Sequence, residues 1–227
     1  MKRRGLLAAL AASTTVAVAG CAGGDGNYEF DAEPARIPES AYADTEFTGQ
    51  EPESFTIEQE FNAAGVNAQV SATTWIARYI NSTTQSALFV ASTPNASVAG
   101  QSVNPLVRAE GADLIRRLLN QVNQQGIGGG SADIQTDDIQ DRGEETRTIL
   151  DEEATVSIYE TTVSADVNGP NNQSGSVEDV PVLLYIATVQ HQADDADSED
   201  VIALVGLHPV GVDQSEQLLS MMEAVEH

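Results

Sequence analysis

The chain has 227 residues, with 10 Lys and Arg against 35 Asp and Glu, a formal net charge of −25, and 41% hydrophobic residues. An acidic disordered tail lacks the apolar residues for a core, so that class is excluded, and nucleic-acid phosphates and anionic headgroups are repelled. A single cysteine excludes a disulfide framework.

Lys2, Arg3 and Arg4 open the chain, Gly5 to Ala19 carries no charge, and Val18-Ala19-Gly20-Cys21 brings small residues up to the only cysteine. This is the layout of a signal peptide over 1–20. Its apolar run is too short to cross a bilayer, which takes about 20 apolar residues. The last four residues resemble a lipobox, in which the cysteine thiol is alkylated by lipid and becomes the new N-terminus. Cys21 is therefore the expected membrane attachment, on the outer face. Arg3-Arg4-Gly5-Leu6-Leu7 resembles the twin-arginine export signal, with Sec export as the alternative.

With the leader gone, seven arginines and no lysine face 35 carboxylates, a net −28. The acid is spread along an otherwise apolar-rich chain, which is the composition of a halophilic surface. Molar salt shortens the screening length to about 3 Å, and the self-repulsion then largely vanishes. Short carboxylates in place of lysine stems also reduce exposed apolar surface.

Residues 21–27 are the lipidated cysteine and a short flexible tether; 28–227 read as one domain. Ile37-Pro38-Glu39-Ser40-Ala41 predicts a short helix with proline in its first turn. Phe55, Ile57 and Phe61 alternate with polar residues as in a strand, and Val66 to Ile76 continues the alternation. Trp75 and Tyr79 lie on the opposite face of that second strand, so both faces should be covered. Ala87 to Ser92 is a third strand. Asn104 and Pro105 then cap a predicted central helix whose Leu114, Ile115, Leu118, Leu119 and Val122 share a face, ended by Gly126. Gly128-Gly129-Gly130-Ser131 is a loop. Strands resume at Thr146–Tyr159, Val180–Gln190 and Val201–His208. Asp213-Gln214-Ser215-Glu216 caps a last helix that buries Leu218, Leu219, Met222 and Val225. The expected class is α+β: an antiparallel sheet with a central and a C-terminal helix packed on it.

No catalytic constellation emerges. His191, His208 and His227 have no metal-ligand spacing. No Gly-x-Ser-x-Gly elbow supports a serine triad, and Gly126 to Gly130 is not followed by a phosphate-binding lysine. Asp194, Asp195, Asp197, Glu199 and Asp200 raise calcium, but they lack the glycine and distant glutamate of an EF-hand and read as a solvated hairpin loop. No metal and no cofactor is expected. Asn81, Asn95 and Asn172 begin glycosylation triplets. Trp75 and Tyr79 are the one pair that could form a ligand platform, against the simpler reading as core aromatics.

Several segments together resemble a haloarchaeal twin-arginine-exported lipoprotein family of unknown function: the leader, Thr74 to Tyr79, Ser92-Thr93-Pro94, Gly100 to Leu106, and Leu207-His208-Pro209 through His227. The resemblance implies an extracytoplasmic, lipid-anchored location and brings no catalytic residues. More distantly, the order of elements resembles the Mog1/PsbP-like fold, whose members mostly act in binding or assembly. The expected function is a non-enzymatic binding or envelope-assembly factor. Its partners would be the membrane through Cys21 and a protein or small ligand, with no nucleic acid. The alternatives are the substrate-binding component of a transporter, or a hydrolase.

Overall fold

Apolar residues at both parities of a strand demand burial on both faces, and Val201-Ile202-Ala203-Leu204-Val205-Gly206-Leu207 is such a run. In the computed structural model, which describes residues 26–63, 66–98, 101–102, 104, 132–135, 139–169, 173–193 and 198–227, that run lies in the middle of one large sheet. The strands in chain order are β1 (Asn27–Asp31), β2 (Thr48–Ala63), β3 (Val66–Asn81), β4 (Ser86–Pro94), β5 (Ser97–Val98) and β6 (Gln101–Ser102). They continue with β7 (Ala132–Ile134), β8 (Gln140–Ile149), β9 (Glu152–Gly169), β10 (Gln173–His191) and β11 (Asp200–Pro209). A 3-10 turn follows Pro38 at Glu39–Ala41, and among the described residues one α-helix, α1, spans Ser215–Glu223.

Among the described residues, nine strands make the sheet in the order β1-β3-β4-β11-β10-β9-β7, with β2 added to β3 and β8 to β9; β5 and β6 pair apart. One edge of β3 is shared. Its first part, Gln69 to Thr73, takes β1 in parallel, and its second, Trp75 to Asn81, takes β4 antiparallel. The other edge holds β2 through a long hairpin, with a register shift around Pro52, where proline cannot donate to the ladder.

The expected α+β class, with an antiparallel sheet and two helices in a Mog1/PsbP-like arrangement, is therefore corrected. The described structure is mostly strand, the sheet is mixed because β1 runs parallel to β3, and the one α-helix is C-terminal. The predicted central helix from Pro105 to Gly126 lies outside the described residues. Its predicted cap, Asn104, is buried and donates from Nδ2 to the Pro94 carbonyl at 3.0 Å. β1 was invisible in the sequence because Asn27-Tyr28-Glu29-Phe30-Asp31 is too short to separate from a tether by periodicity. The single predicted strand Thr146–Tyr159 is two, β8 and β9, joined by Leu150 and Asp151 at φ 52° and 62°. Paired positive φ values mark the tight hairpin turn, but leucine stands where asparagine or glycine would have signalled it.

The sheet buries both faces. One face, formed by residues such as Ala77, Tyr79, Leu88, Val90, Tyr185, Ala187, Val189, Ile202 and Leu204, packs on Leu218, Leu219, Met221 and Met222 of α1. The other gathers Ile76, Phe89, Ile134, Val182, Leu184, Ile186, Val205 and Leu207. Gly206 sits beneath the helix, where an added Cβ would lie 3.0 Å from Met222 Cε, so glycine sets how closely α1 approaches. The helix begins at Ser215, whose N–H donates to Asp213 Oδ1 at 3.3 Å, one residue later than the predicted cap arrangement.

Candidate functional site

Strand parity decides which side chains meet under α1. On β4, Ser92 is in phase with Leu88 and Val90; on β10, His191 is in phase with Tyr185, Ala187 and Val189; on β11, Asp200 and His208 are in phase with Ile202 and Leu204. Register then sets their neighbours, since His191 lies opposite Asp200, and Ser92 lies opposite Ile202. Polar side chains at apolar-phase positions thus collect at the two ends of the helix-covered face.

At one end, Ala224 to His227 comes back over the sheet after α1. His227 Nε2 lies 3.1 Å from Asp200 Oδ2, and the side chains are 0% and 2% exposed. Asp200 Oδ2 also accepts the Glu33 N–H at 2.8 Å, so the imidazole contact is Nε2–H donating to that oxygen. Ser92 Oγ is 3.5 Å from the same Nε2, and His191 Nδ1 is 3.0 Å from His227 Nδ1. Asp200 Oδ1 is buried without a hydrogen-bond partner.

Serine, histidine and aspartate together raise nucleophilic catalysis, and the geometry rejects it. A serine triad needs the carboxylate on one ring nitrogen and the hydroxyl on the other. Here Ser92 and Asp200 meet the same nitrogen, whose proton is already given to Asp200. The arrangement is a fastener that joins the segment at Glu33 and the segment Ala224–His227 to the start of β11. Beside it, Arg36 and Glu226 exchange backbone hydrogen bonds of 2.9 and 2.8 Å.

The other end is held by His208. Its Nδ1 donates to the Pro209 carbonyl at 2.9 Å, leaving Nε2 to accept from the hydroxyls of Tyr185 at 3.2 Å or Ser215 at 3.3 Å. Tyr185 donates to Ser215 Oγ at 2.7 Å. Burial pushes the Tyr185 phenol above its ordinary range, so it stays a neutral donor. That donated bond occupies a lone pair of Ser215 Oγ and weakens it as a nucleophile; the cluster pins the first turn of α1 to the sheet.

The segment from Ala32 to Ile37 is clamped by the two aromatics read from the sequence as a platform or core pair. Trp75 Nε1 donates to the Ala32 carbonyl at 2.8 Å, and the Tyr79 hydroxyl accepts the Ile37 N–H at 2.6 Å. Burial, opposed by its hydrogen bond to Ile37, raises the Tyr79 phenol above its usual range, so it too stays neutral. Tyr42 packs edge-on to Tyr79 with ring centroids 5.4 Å apart. Gly49 lies under both rings; an added Cβ would sit 2.5 Å from Tyr42 Oη and 2.9 Å from Tyr79 Cε1. Gly49→Ala should therefore displace the rings and lower stability by about 1–3 kcal/mol, as overpacking does, with the loss read from a thermal melt.

A family model described as a domain of unknown function (DUF6517) matches residues 34–226. The chain belongs to that family. Neither a curated protein nor a solved structure matches it. The DUF6517 match begins two residues before Arg36 and ends at Glu226, so its bounds fall on the bridge that closes the domain.

Within the DUF6517 domain, the sequence-predicted sites have varied outcomes. Arg3, Arg4, Cys21, Asn172, Asp194, Asp195 and Asp197 lie outside the described residues. Asn81 is buried, which leaves no room for a glycan on its Nδ2 in the folded domain, and its Oδ1 accepts the N–H groups of Thr83 and Thr84. Asn95 is partly exposed, with Nδ2 near Gln190 and Glu199. Asp200 is corrected from a solvated loop charge to a buried strand residue. Among the described residues, no group of three or more His, Cys, Asp or Glu side chains is arranged to hold a metal. Sequence reasoning missed the histidine–carboxylate cluster because its members are 92, 191, 200 and 227 in the chain. One signal was available: Asp200 and His191 each continue the apolar parity of a strand, where a charge must find a partner.

Proposed function

We propose that this DUF6517 protein is a haloarchaeal lipoprotein, exported by the twin-arginine route and held on the outer membrane face by lipid on Cys21. There it acts without catalysis, as a binding or envelope-assembly factor. The observation that carries this is the leader: a basic start, an uncharged stretch, and small residues ending on the one cysteine. β1 starts at Asn27, six residues after Cys21, so a lipid on Cys21 would tether the domain within about 20 Å of the bilayer. The acidic composition supports a high-salt habitat. Both Ser–His contacts lie in fasteners, which favours a binding role over hydrolysis.

Cys21→Ser tests the anchor. The variant should appear in the soluble fraction or persist as uncleaved precursor, and crosslinking at high salt should capture an envelope partner only with the wild-type protein. If Cys21→Ser matures normally and still sediments with membranes, the lipid assignment is wrong.

A further inference from the structure

We propose that the His191–His227 pair is an acid-sensitive latch, which holds one proton between its facing ring nitrogens and opens the bridge between the Arg36 and Glu226 segments when a second must enter. The two Nδ1 atoms are 3.0 Å apart, a hydrogen-bond distance that fits one N–H donor and one lone pair. His227 cannot evade the conflict by turning its other nitrogen inward. Nε2–H is fixed on Asp200 Oδ2, and the side chain is fully buried. His227 Nδ1 is therefore the acceptor and His191 Nδ1–H the donor. A first proton can enter at His191 Nε2 without disturbing that bond. The next must go to His227 Nδ1, where it meets the His191 N–H head-on.

The consequence is directional. Acid favours whichever state can hold both imidazolium rings, which is the state with the pair parted. His227 follows Glu226, whose backbone bonds to Arg36 close the domain, so parting the pair loosens that bridge. The charged groups on the elements meeting here are Asp200 and Glu199 on and beside β11, Glu33 and Arg36 on the N-terminal arm, and Glu226 next to the ring. Arg36 and Glu226 pair at 3.8 Å on the surface, and Asp200 is the buried charge in contact with His227. The acid effect comes from the geometry of two donors, and the carboxylates modulate it.

Hydrogen exchange of the Arg36 and Glu226 amides reads the latch directly. The measurement is made in molar NaCl, to suppress the background of surface carboxylates, and corrected for the intrinsic pH dependence of exchange. An opening linked to one extra proton should reduce their protection by about tenfold for each unit by which pH is lowered through the step. His191→Asn separates this from general acid unfolding. Its carboxamide can present N–H or oxygen to His227 Nδ1, so it accommodates either ring state, and the acid step at Arg36 and Glu226 should disappear. Circular dichroism at pH 8 checks that the variant is folded. Nitrogen-15 spectra of the wild-type imidazoles give a second measurement that needs no variant. Two rings that become doubly protonated while both amides stay protected would overturn the proposal, as would an unchanged acid step in folded His191→Asn.

Discussion

Transfer of the mature protein from molar to dilute salt at neutral pH should unfold it. Seven arginines face 35 carboxylates, and the four arginines among the described residues are already in ion pairs: Arg36 with Glu226, Arg78 with Glu53, Arg142 with Glu160, and Arg147 with Glu145, Glu216 and Glu223. Exposed pairs of this kind contribute at most about 1 kcal/mol each. Those pairs use six carboxylates, and the remaining 29 (35 − 6) far outnumber the three other arginines of the mature chain. Glu51, Glu53, Glu58 and Glu60 fall along β2, and Glu152 and Glu153 open β9, so folding lines up like charges within strands toward both ends of the sheet. At 0.01 M salt the screening length is about 30 Å, close to the width of the domain, and most carboxylates feel one another. At 1 M it is about 3 Å, and only adjacent groups do. The melting temperature should climb steeply across the low-salt range, then more gently as salt strengthens apolar burial. Near-UV circular dichroism of Trp75, the sole tryptophan, reports the folded state because its indole is fixed on the Ala32 carbonyl. A melting temperature flat from dilute to molar salt would remove the halophilic reading.

Asp200→Ala should be the most damaging single polar substitution in the described core. Two effects oppose each other. Asp200 Oδ1 has no partner, so removing the carboxylate relieves some desolvation cost. Against that, the substitution strands the Glu33 N–H and the His227 Nε2–H in a buried site, at about 1–3 kcal/mol each. It also leaves a small cavity. The stranded donors outweigh the relief, and a net loss of about 2–4 kcal/mol is expected at high salt. Asp200→Asn keeps one oxygen to accept these donors and should lose less. Chemical denaturation of the three proteins at one salt concentration gives the comparison. An Asp200→Ala protein as stable as its parent would mean that the cluster does not fasten the Glu33 and His227 segments to the sheet.

Local chemistry made part of this molecule legible. Alternation in Phe55-Thr56-Ile57 marks a strand by its period of two, and the apolar run of Val201 to Leu207 marks one by its short length and its β-branched residues. Leu218, Leu219 and Met222 mark the last helix by a period of 3.6. The anchor is a string of adjacent residues and needs no fold to be read. What only tertiary structure decided are the pairings between distant parts of the chain. Whether β1 lies parallel to β3 depends on a shared strand edge, and the turn at Leu150-Asp151 depends on the hairpin forcing positive φ on residues that do not advertise it. The face of the sheet on which His191, Asp200 and Ser92 fall could be inferred from parity within each strand. That they meet His227 could not be, because contact between strands depends on sheet order and register, which are set by packing of the whole core.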